Sequence, residues 1–223
     1  MEKYSKYPRT YHLHWSEGVQ SDDKILSDLS CFEGLEIAVL EKLDGENTSL
    51  YPDYYHARSI DSNFNFTRAW IAKMHSVMKF DIPEGFKLVV ENMWAEHSIR
   101  YTDLNSYAYL LSVWKSLGDD NICLSYDETK EWAELFDLPM PKELYRGVYD
   151  EKKLIALAES IDKEKVEGYV IRVVDSFSEK DMNKSLAKYV RKNHVQPDQE
   201  HWLKGARQNG ELISPVKPFY MGK

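Results

Sequence analysis

"LEIAVLEKLDGEN", residues 35–47, runs apolar and partly β-branched up to Glu41, then places a lysine, an aspartate, a glycine and a glutamate within five positions. The apolar part is too short to stand as a helix on periodicity, so it reads as a largely buried strand with Lys42 at its end. Burial disfavours a charged amine and is expected to lower its pKa from about 10.4, which makes a lysine a usable nucleophile near neutral pH. A surface charge beside a turn is the plainer reading of the same stretch. The choice rests on residues elsewhere.

Working outward, "SDDKILSDLSCF" (21–32) has a Ser/Asp start and suits a short capped helix. "SLYPDYYHARSI" (49–60) reads as a hairpin around Pro52 and Asp53. "DSNFNFTRAWIAKMHSVMKF" (61–80) predicts a helix of about four turns, capped near Asp61 to Asn63. Its inward stripe would be Phe66, Trp70, Ile71, Met74, Val77 and Met78, with His75 structural. Strands are expected in "FKLVVENMW" (86–94), "SYAYLLSVW" (106–114), "VEGYVIRVVDSF" (166–177) and "SLAKYVRK" (185–192). Helices with acidic starts are expected in 125–138 and 150–161, and a short one in "EHWLKGA" (200–206). Strands and helices do not alternate strictly, which predicts an α+β fold with mostly antiparallel sheets flanked by helices, as one domain over 1–223.

The composition fits a packed core: 43% hydrophobic residues, with 6 Trp and 15 Tyr among 223. A formal net charge of −8 argues against a surface that coats nucleic acid, but leaves room for a local basic groove. No stretch approaches the roughly 20 apolar residues of a membrane span. The start lacks the apolar core of a signal peptide. Cys31 and Cys123 are too few for a disulfide framework or thiolate metal site, which fits a reducing, cytoplasmic setting.

Charges inside apolar strands are costly unless paired or used. Four places carry them: Lys42 after "IAVLE", Glu91 after "LVV", Glu167 and Arg172 around "GYVI", and Lys188 before "YV". Strand-end salt bridges explain any one of these, and Arg172 in particular reads as a salt-bridge partner, but four in one small chain weaken that explanation. Alternation puts Glu167, Tyr169 and Ile171 on one face and Gly168, Val170 and Arg172 on the other. Lys188, Val190 and Lys192 share a face, with Arg191 turned away.

"KLDGEN" (42–47) resembles the KxDG nucleotidyl-acceptor motif of the covalent nucleotidyltransferase superfamily, the polynucleotide ligases and mRNA capping enzymes. "HARS" with Arg58, "VVENMW" with Glu91, "VEGYVIR" with Glu167 and "LAKYVRK" with Lys188 follow in that family's order. The surroundings "GENTSLYPDYYHARS", "ENMWAEHSIRY" and "YVRKNHVQPDQEHW", with the opening "KYPRTYHLHWSEG", are similar to ATP-dependent RNA ligases over nearly the whole chain. The resemblance implies a nucleotidyltransferase fold with no appended OB domain, ATP as cofactor with Mg²⁺ or Mn²⁺, and RNA with 3′-OH and 5′-phosphate ends as partner. It leaves open RNA–DNA hybrids and a protein partner for substrate recognition. A GTP-using capping-type guanylyltransferase and a degenerate nucleotide- or RNA-binding module are the competing expectations.

By matching motifs, Lys42 is the nucleophile, Glu91 holds the ribose hydroxyls, and Glu167 and Asn47 fix a hydrated metal ion. Asp44 orients the loop or the metal's water shell, Lys188 grips the α-phosphate, and Arg58 takes a phosphate or the RNA end. Glu41 belongs with the nucleotide-binding set. Many relatives carry a second motif lysine where this chain has Val190, leaving Arg191 or Lys192 as substitutes. Tyr107 and Tyr109 are candidates for stacking on adenine, with core packing the alternative. His97, Ser98 and Arg100 either line the RNA path or structure a loop. The spacing of His194, Gln196 and His201 matches no standard zinc pattern.

Overall fold

A computed structural model describes residues 4–60, 65–192 and 206–213. In chain order its strands and helices are β1 (Tyr11–Leu13), β2 (Ile25–Leu26), β3 (Glu36–Lys42), β4 (Glu46–Leu50), β5 (Tyr55–Ala57), α1 (Ala69–Met78), β6 (Phe86–Asn92) and β7 (Ala108–Leu117). There follow β8 (Asp120–Cys123), α2 (Tyr126–Leu135), β9 (Glu143–Val148), α3 (Glu151–Ser160), β10 (Gly168–Val173), β11 (Phe177–Ser178), α4 (Met182–Ser185) and β12 (Leu186–Val190). The strands form two six-stranded sheets, β2-β1-β12-β10-β3-β9 and β11-β8-β7-β6-β4-β5. The expected antiparallel pairing prevails, except that β1 runs parallel to both β12 and β2.

Each sheet buries one face against helix. Ile37, Val39, Tyr169, Ile171, Ala187 and Tyr189 pack with Leu154 and Ala158 of α3. Leu50, Leu88, Val90 and Leu110 pack with Ile71, Met74 and Met78 of α1 and Ala133 of α2. Period-2 alternation therefore leaves the other face of each sheet, with Leu40, Lys42, Val170 and Lys188 on one and Asn47 and Glu91 on the other, to line a shared cleft. No helix among the described residues is long and apolar enough to cross a membrane.

Two local readings are corrected. Residues 21–32 form no α-helix: Ile25 and Leu26 pair with β1, and only Ser30–Phe32 closes a 3₁₀ turn, where Asp28 accepts from the Ser30 amide at 2.9 Å. The Ser/Asp signals served a turn, and pairing with a distant strand overrode local helical preference. In 61–80 the α-helix covers only Ala69–Met78, after a 3₁₀ turn capped by Asn65, and the expected cap at 61–63 lies outside the described residues. Its stripe is correspondingly narrow: Phe66 is 47% and Val77 37% exposed, while His75 is buried with Nε2 2.6 Å from the Tyr51 carbonyl. The other helices start as read, α2 on a Ser125–Glu128 capping box and α3 on Asp150. Residues 200–205 of the last expected helix lie outside the described residues.

The tail returns to the fold at 206–213. Buried Asn209 donates to the Met93 and Ala95 carbonyls and accepts from the Tyr101 amide, and Gly210 donates to the Tyr101 carbonyl at 2.7 Å. This stitches the loop after β6 in place.

Gly168 fixes the close approach of β10 to β12, because a Cβ there would collide with the Tyr189 carbonyl oxygen. Gly168→Ala should lower stability by about 1–3 kcal/mol, as overpacking against backbone does, and thermal unfolding followed by circular dichroism checks it.

Candidate active site

The cleft between the sheets has a volume of about 450 Å³ and is lined by Lys42, Asp44, Asn47, Arg58, Glu91, Glu167 and Lys188, together with Glu41. Strand register builds this convergence: Lys42 on β3 lies opposite Gly168 on β10, which lies opposite Val190 on β12, and Leu40, Val170 and Lys188 form the next row. From the facing sheet, Asn47 on β4 pairs with Glu91 on β6.

At the centre Lys42 Nζ donates to Glu167 Oε2 at 2.5 Å. Burial disfavours the ammonium, but the negative charges of Glu167, then Glu91 and Asp44, outweigh that penalty and hold the Lys42 pKa above the ordinary lysine value. This reverses the expected lowering: burial was the only influence read from the strand, and the acids that share the cleft are stronger. Glu91 shows the opposite balance. Burial pushes its carboxyl up to about 8, with Lys42 only partly opposing, and Oε1 accepts from the Gly45 amide at 3.2 Å. Lys188 is pushed down by burial and by the Lys42 charge, and among the described residues no hydrogen bond or ion pair engages its amine.

Asp44 is committed to structure. Its Oδ2 accepts from the Ser98 amide at 2.8 Å, the Ser98 hydroxyl at 2.7 Å and the Ile99 amide at 2.9 Å. These bonds tie the Asp44 carboxylate to the loop after β6, with Ser98 as its partner there. His97 lines the cleft, whereas exposed Arg100 sits 3.8 Å from Glu96.

Several expectations are displaced. Glu167 does not share a face with Tyr169: it precedes the first residue of β10 and turns into the cleft, on the side of Val170 and Arg172, while Tyr169 is buried in the core. Among the described residues Arg172 makes no salt bridge; its guanidinium donates to the Leu124 carbonyl at 2.7 Å and the Val173 carbonyl at 3.2 Å. Arg191 and Lys192 do not line the cleft, because β12 ends at Val190 and it is Val190 that shares the Lys188 face. Tyr107 and Tyr109 also stay out of it, packed with Met93, Ile99 and Leu104. A bulge opposite Val89/Val90 skips Leu111, which lines the cleft instead. His194, Gln196 and His201 lie outside the described residues.

Other lining residues carried no readable signal. Glu46 and Arg68 form a two-point ion pair at 2.6 and 2.8 Å. His12, adjacent to Lys188 in the parallel β1–β12 register, has Nε2 3.1 Å from Asp23 Oδ2, and burial lowers its pKa to about 4. Arg9 and Lys24 enter from the same N-terminal segment. A capping signature announced α2, but no short motif announces a parallel pairing of residues as far apart as His12 and Lys188.

Among the described residues no three His, Cys, Asp or Glu side chains converge on a metal position. The donors present, Glu167 and the buried Asn47 Oδ1 that lacks a hydrogen-bond partner, are oxygens, which fits a hard divalent cation held largely through water.

A cleft between two mostly antiparallel sheets, with a strand-end lysine set among acids, is the arrangement the motif resemblance to covalent nucleotidyltransferases leads one to expect. The chain belongs to the RNA ligase family, whose model matches residues 35–190. It is similar in structure to an archaeal ATP-dependent RNA ligase, with a TM-score of 0.55 and 11% identity over 84% of this chain and 48% of that one. A putative ATP-dependent DNA ligase from Aquifex aeolicus gives 0.50 and 20% over 73% and 46%. A Naegleria gruberi RNA ligase mutant with AMP and Mn gives 0.50 and 15% over 89% and 59%. The chain thus spans about half the length of these structures. No curated protein matches it.

The raised Glu91 carboxyl predicts a pH dependence. Its folded pKa lies above the unfolded value of 4.5, so the stability it permits is complete below pH 4.5 and is lost as pH rises through about 8. Glu91→Gln should therefore gain melting temperature relative to the parent across that window and match it near pH 4.5, which thermal melts at stepped pH check.

Proposed function

We propose that residues 1–223 work as one adenylyltransferase domain of an ATP-dependent RNA ligase that joins 3′-OH and 5′-phosphate ends through lysyl-AMP on Lys42. The observation that supports it most is the pairing of Lys42 with Glu167 at the end of β3, with the Lys188 amine, unengaged among the described residues, one row away on the same sheet face. Such an arrangement suits an amine nucleophile beside an anion-binding cation.

The ammonium of Lys42 first loses a proton, for which Glu167 is the acceptor already in contact. The freed lone pair then attacks the α-phosphorus of ATP: an N–P bond forms, the bond from that phosphorus to the bridging oxygen breaks, and pyrophosphate leaves with the electron pair. The second proton leaves the nitrogen as the phosphoramidate forms. An RNA 5′-phosphate oxygen next bonds to the adenylyl phosphorus as the N–P bond breaks, the Lys42 nitrogen keeping the electron pair and taking up a proton; finally the 3′-oxygen, losing its proton, bonds to the 5′-phosphorus as the bridging P–O bond breaks and AMP leaves with its electrons. These are transfers in which positioning and charge neutralisation do most of the work.

Lys188 would hold the α-phosphate and Glu91 the ribose hydroxyls. Leu40, Leu111, Val170 and Leu186 give apolar walls for the base. Glu167 and Asn47 would hold a hydrated Mg²⁺ or Mn²⁺, which supplies positive charge against the phosphates and competes with the Lys42 ammonium for Glu167. Arg58 faces the phosphate or the RNA end.

α-Labelled ATP with Mg²⁺ should label the protein covalently, with labelling rising with pH because the pKa of Lys42 is raised, and Lys42→Ala should abolish it. Labelling that persists in Lys42→Ala would sink the assignment, and labelling by GTP in preference to ATP would replace it with a capping-type reading. Joining on nicked, single-stranded and RNA–DNA hybrid substrates should show product only where a 5′-phosphate meets a 3′-OH. The same assay shows whether a protein partner is needed.

A further inference from the structure

The cleft is electrically divided. Its acids Glu41, Asp44, Glu46, Glu91 and Glu167 cluster around Lys42, on β3, β4, β6 and the approach to β10. Across β12, β1 and the approach to β2 the cleft carries Lys188, Arg9 and Lys24, with Arg58 close enough to act on Lys188 and Arg9 on Arg58; among the described residues Asp23 is the acid lining that part. Sheet order explains the separation: moving from β3 across β10, β12 and β1 to β2 leads from Lys42 past Lys188 and His12 to Lys24, at about 4.8 Å per strand.

The N-terminal segment is fastened to this place. The Glu17 and Gly18 amides donate to the Val190 carbonyl at 3.0 and 2.9 Å, and the Val190 amide donates to the Ser16 hydroxyl at 2.9 Å. A Cβ on Gly18 would collide with the Arg191 carbonyl and the Val190 side chain, so the segment lies tight against the end of β12. Neutral Val190 is thereby covered by a strap that brings its own cations. Arg9 is aimed by Asp22, 2.8 Å from Nη1, while the Lys24 amine lies 3.4 Å from the Tyr11 hydroxyl and 5.4 Å from the centre of its ring. Burial and then the neighbouring Arg9 push the Arg58 guanidinium down, and Arg58 is among the charges that push Lys188 down, as in a site that awaits an anion.

We infer that Lys24 and Arg9, together with Arg58 and Lys188, form a phosphate-anion site on the far side of the reacting phosphorus from Lys42, supplied by the N-terminal strap. In-line displacement puts whatever enters or leaves opposite the Lys42 nitrogen. In lysyl-AMP formation that group is pyrophosphate, departing with the electrons of the broken bridging P–O bond. In the next transfer it is the 5′-phosphate whose oxygen displaces Lys42. One cationic site thus serves two phosphates in turn. The inference rests on the adenylyl-transfer reading for its role, but the site itself is tested by direct binding.

Isothermal titration of the full chain with inorganic pyrophosphate, and separately with a 5′-phosphorylated and a 5′-hydroxyl oligoribonucleotide, reads the site without turnover. Lys24→Ala should weaken pyrophosphate binding about ten-fold and Arg9→Ala with Lys24→Ala further, while Lys24→Arg retains it. The 5′-phosphorylated oligonucleotide should lose its advantage over the 5′-hydroxyl one in the same variants. Equal binding of pyrophosphate by the parent and by a Lys24→Ala protein with parental circular dichroism would overturn the site. A loss confined to the oligonucleotide would overturn the pyrophosphate assignment. Parent protein that binds pyrophosphate but takes no label from ATP would instead fail the ligase reading and leave the anion site standing.

Discussion

A lysine amine taken out of water at the end of a buried strand constrains everything around it. Burial alone disfavours its charged form; here the charges of Glu167, then Glu91 and Asp44, together outweigh that and raise its pKa. That stabilises the resting cleft and opposes reactivity, since an ammonium has no lone pair to offer. In the proposed reaction, phosphates and a divalent cation entering the cleft would redistribute the same charges and free the amine. Glu91 carries the converse cost: burial raises its carboxyl pKa, with the Lys42 charge only partly opposing.

The fold holds these charges by register. Gly168 lets β10 close on β12, placing Lys42, Gly168 and Val190 in one row and Leu40, Val170 and Lys188 in the next. A slip of one residue in β3 or β12 would turn Lys42 or Lys188 into the α3-facing core. The loop after β6 is set independently, by the Asp44 carboxylate from one side and Asn209 from the other. Residue 209 is thus tied to the site although it lies outside every motif.

What was legible in the sequence followed from locality. Lys42, Glu91, Glu167 and Lys188 stood out because a charge in or at the end of an apolar strand is conspicuous, whereas Asp44 was picked out only by the motif resemblance. Asp44 could be placed only with its Ser98 and Ile99 partners in view, some 55 residues away. Arg172 looked like a salt-bridge partner because its carbonyl acceptors carry no sequence signature. Glu167 was assigned the wrong face because alternation was extended one residue beyond the strand that sustains it. The direction of the Lys42 shift was missed for a related reason: burial is local, whereas the acids that outweigh it come from β6 and the approach to β10.

The N-terminal segment shows the same limit from the other side. Residues 21–32 carry helix-start chemistry, yet Ile25 and Leu26 extend the sheet beyond β1, and β1 joins β12 in parallel. Parallel pairing needs a connection too long to leave a turn signature, and here it runs from one end of the chain to the other. Its consequence is chemical as well as architectural. With Val190 neutral, β12 contributes one cation to the cleft at Lys188, and the strap bonded to the Val190 backbone brings Arg9 and Lys24 to the same end. Backbone hydrogen bonds, which no side-chain substitution at Val190 removes, therefore fix where that positive charge lies. The placement of charge in this cleft depends on the order of strands more than on the identity of any one motif position.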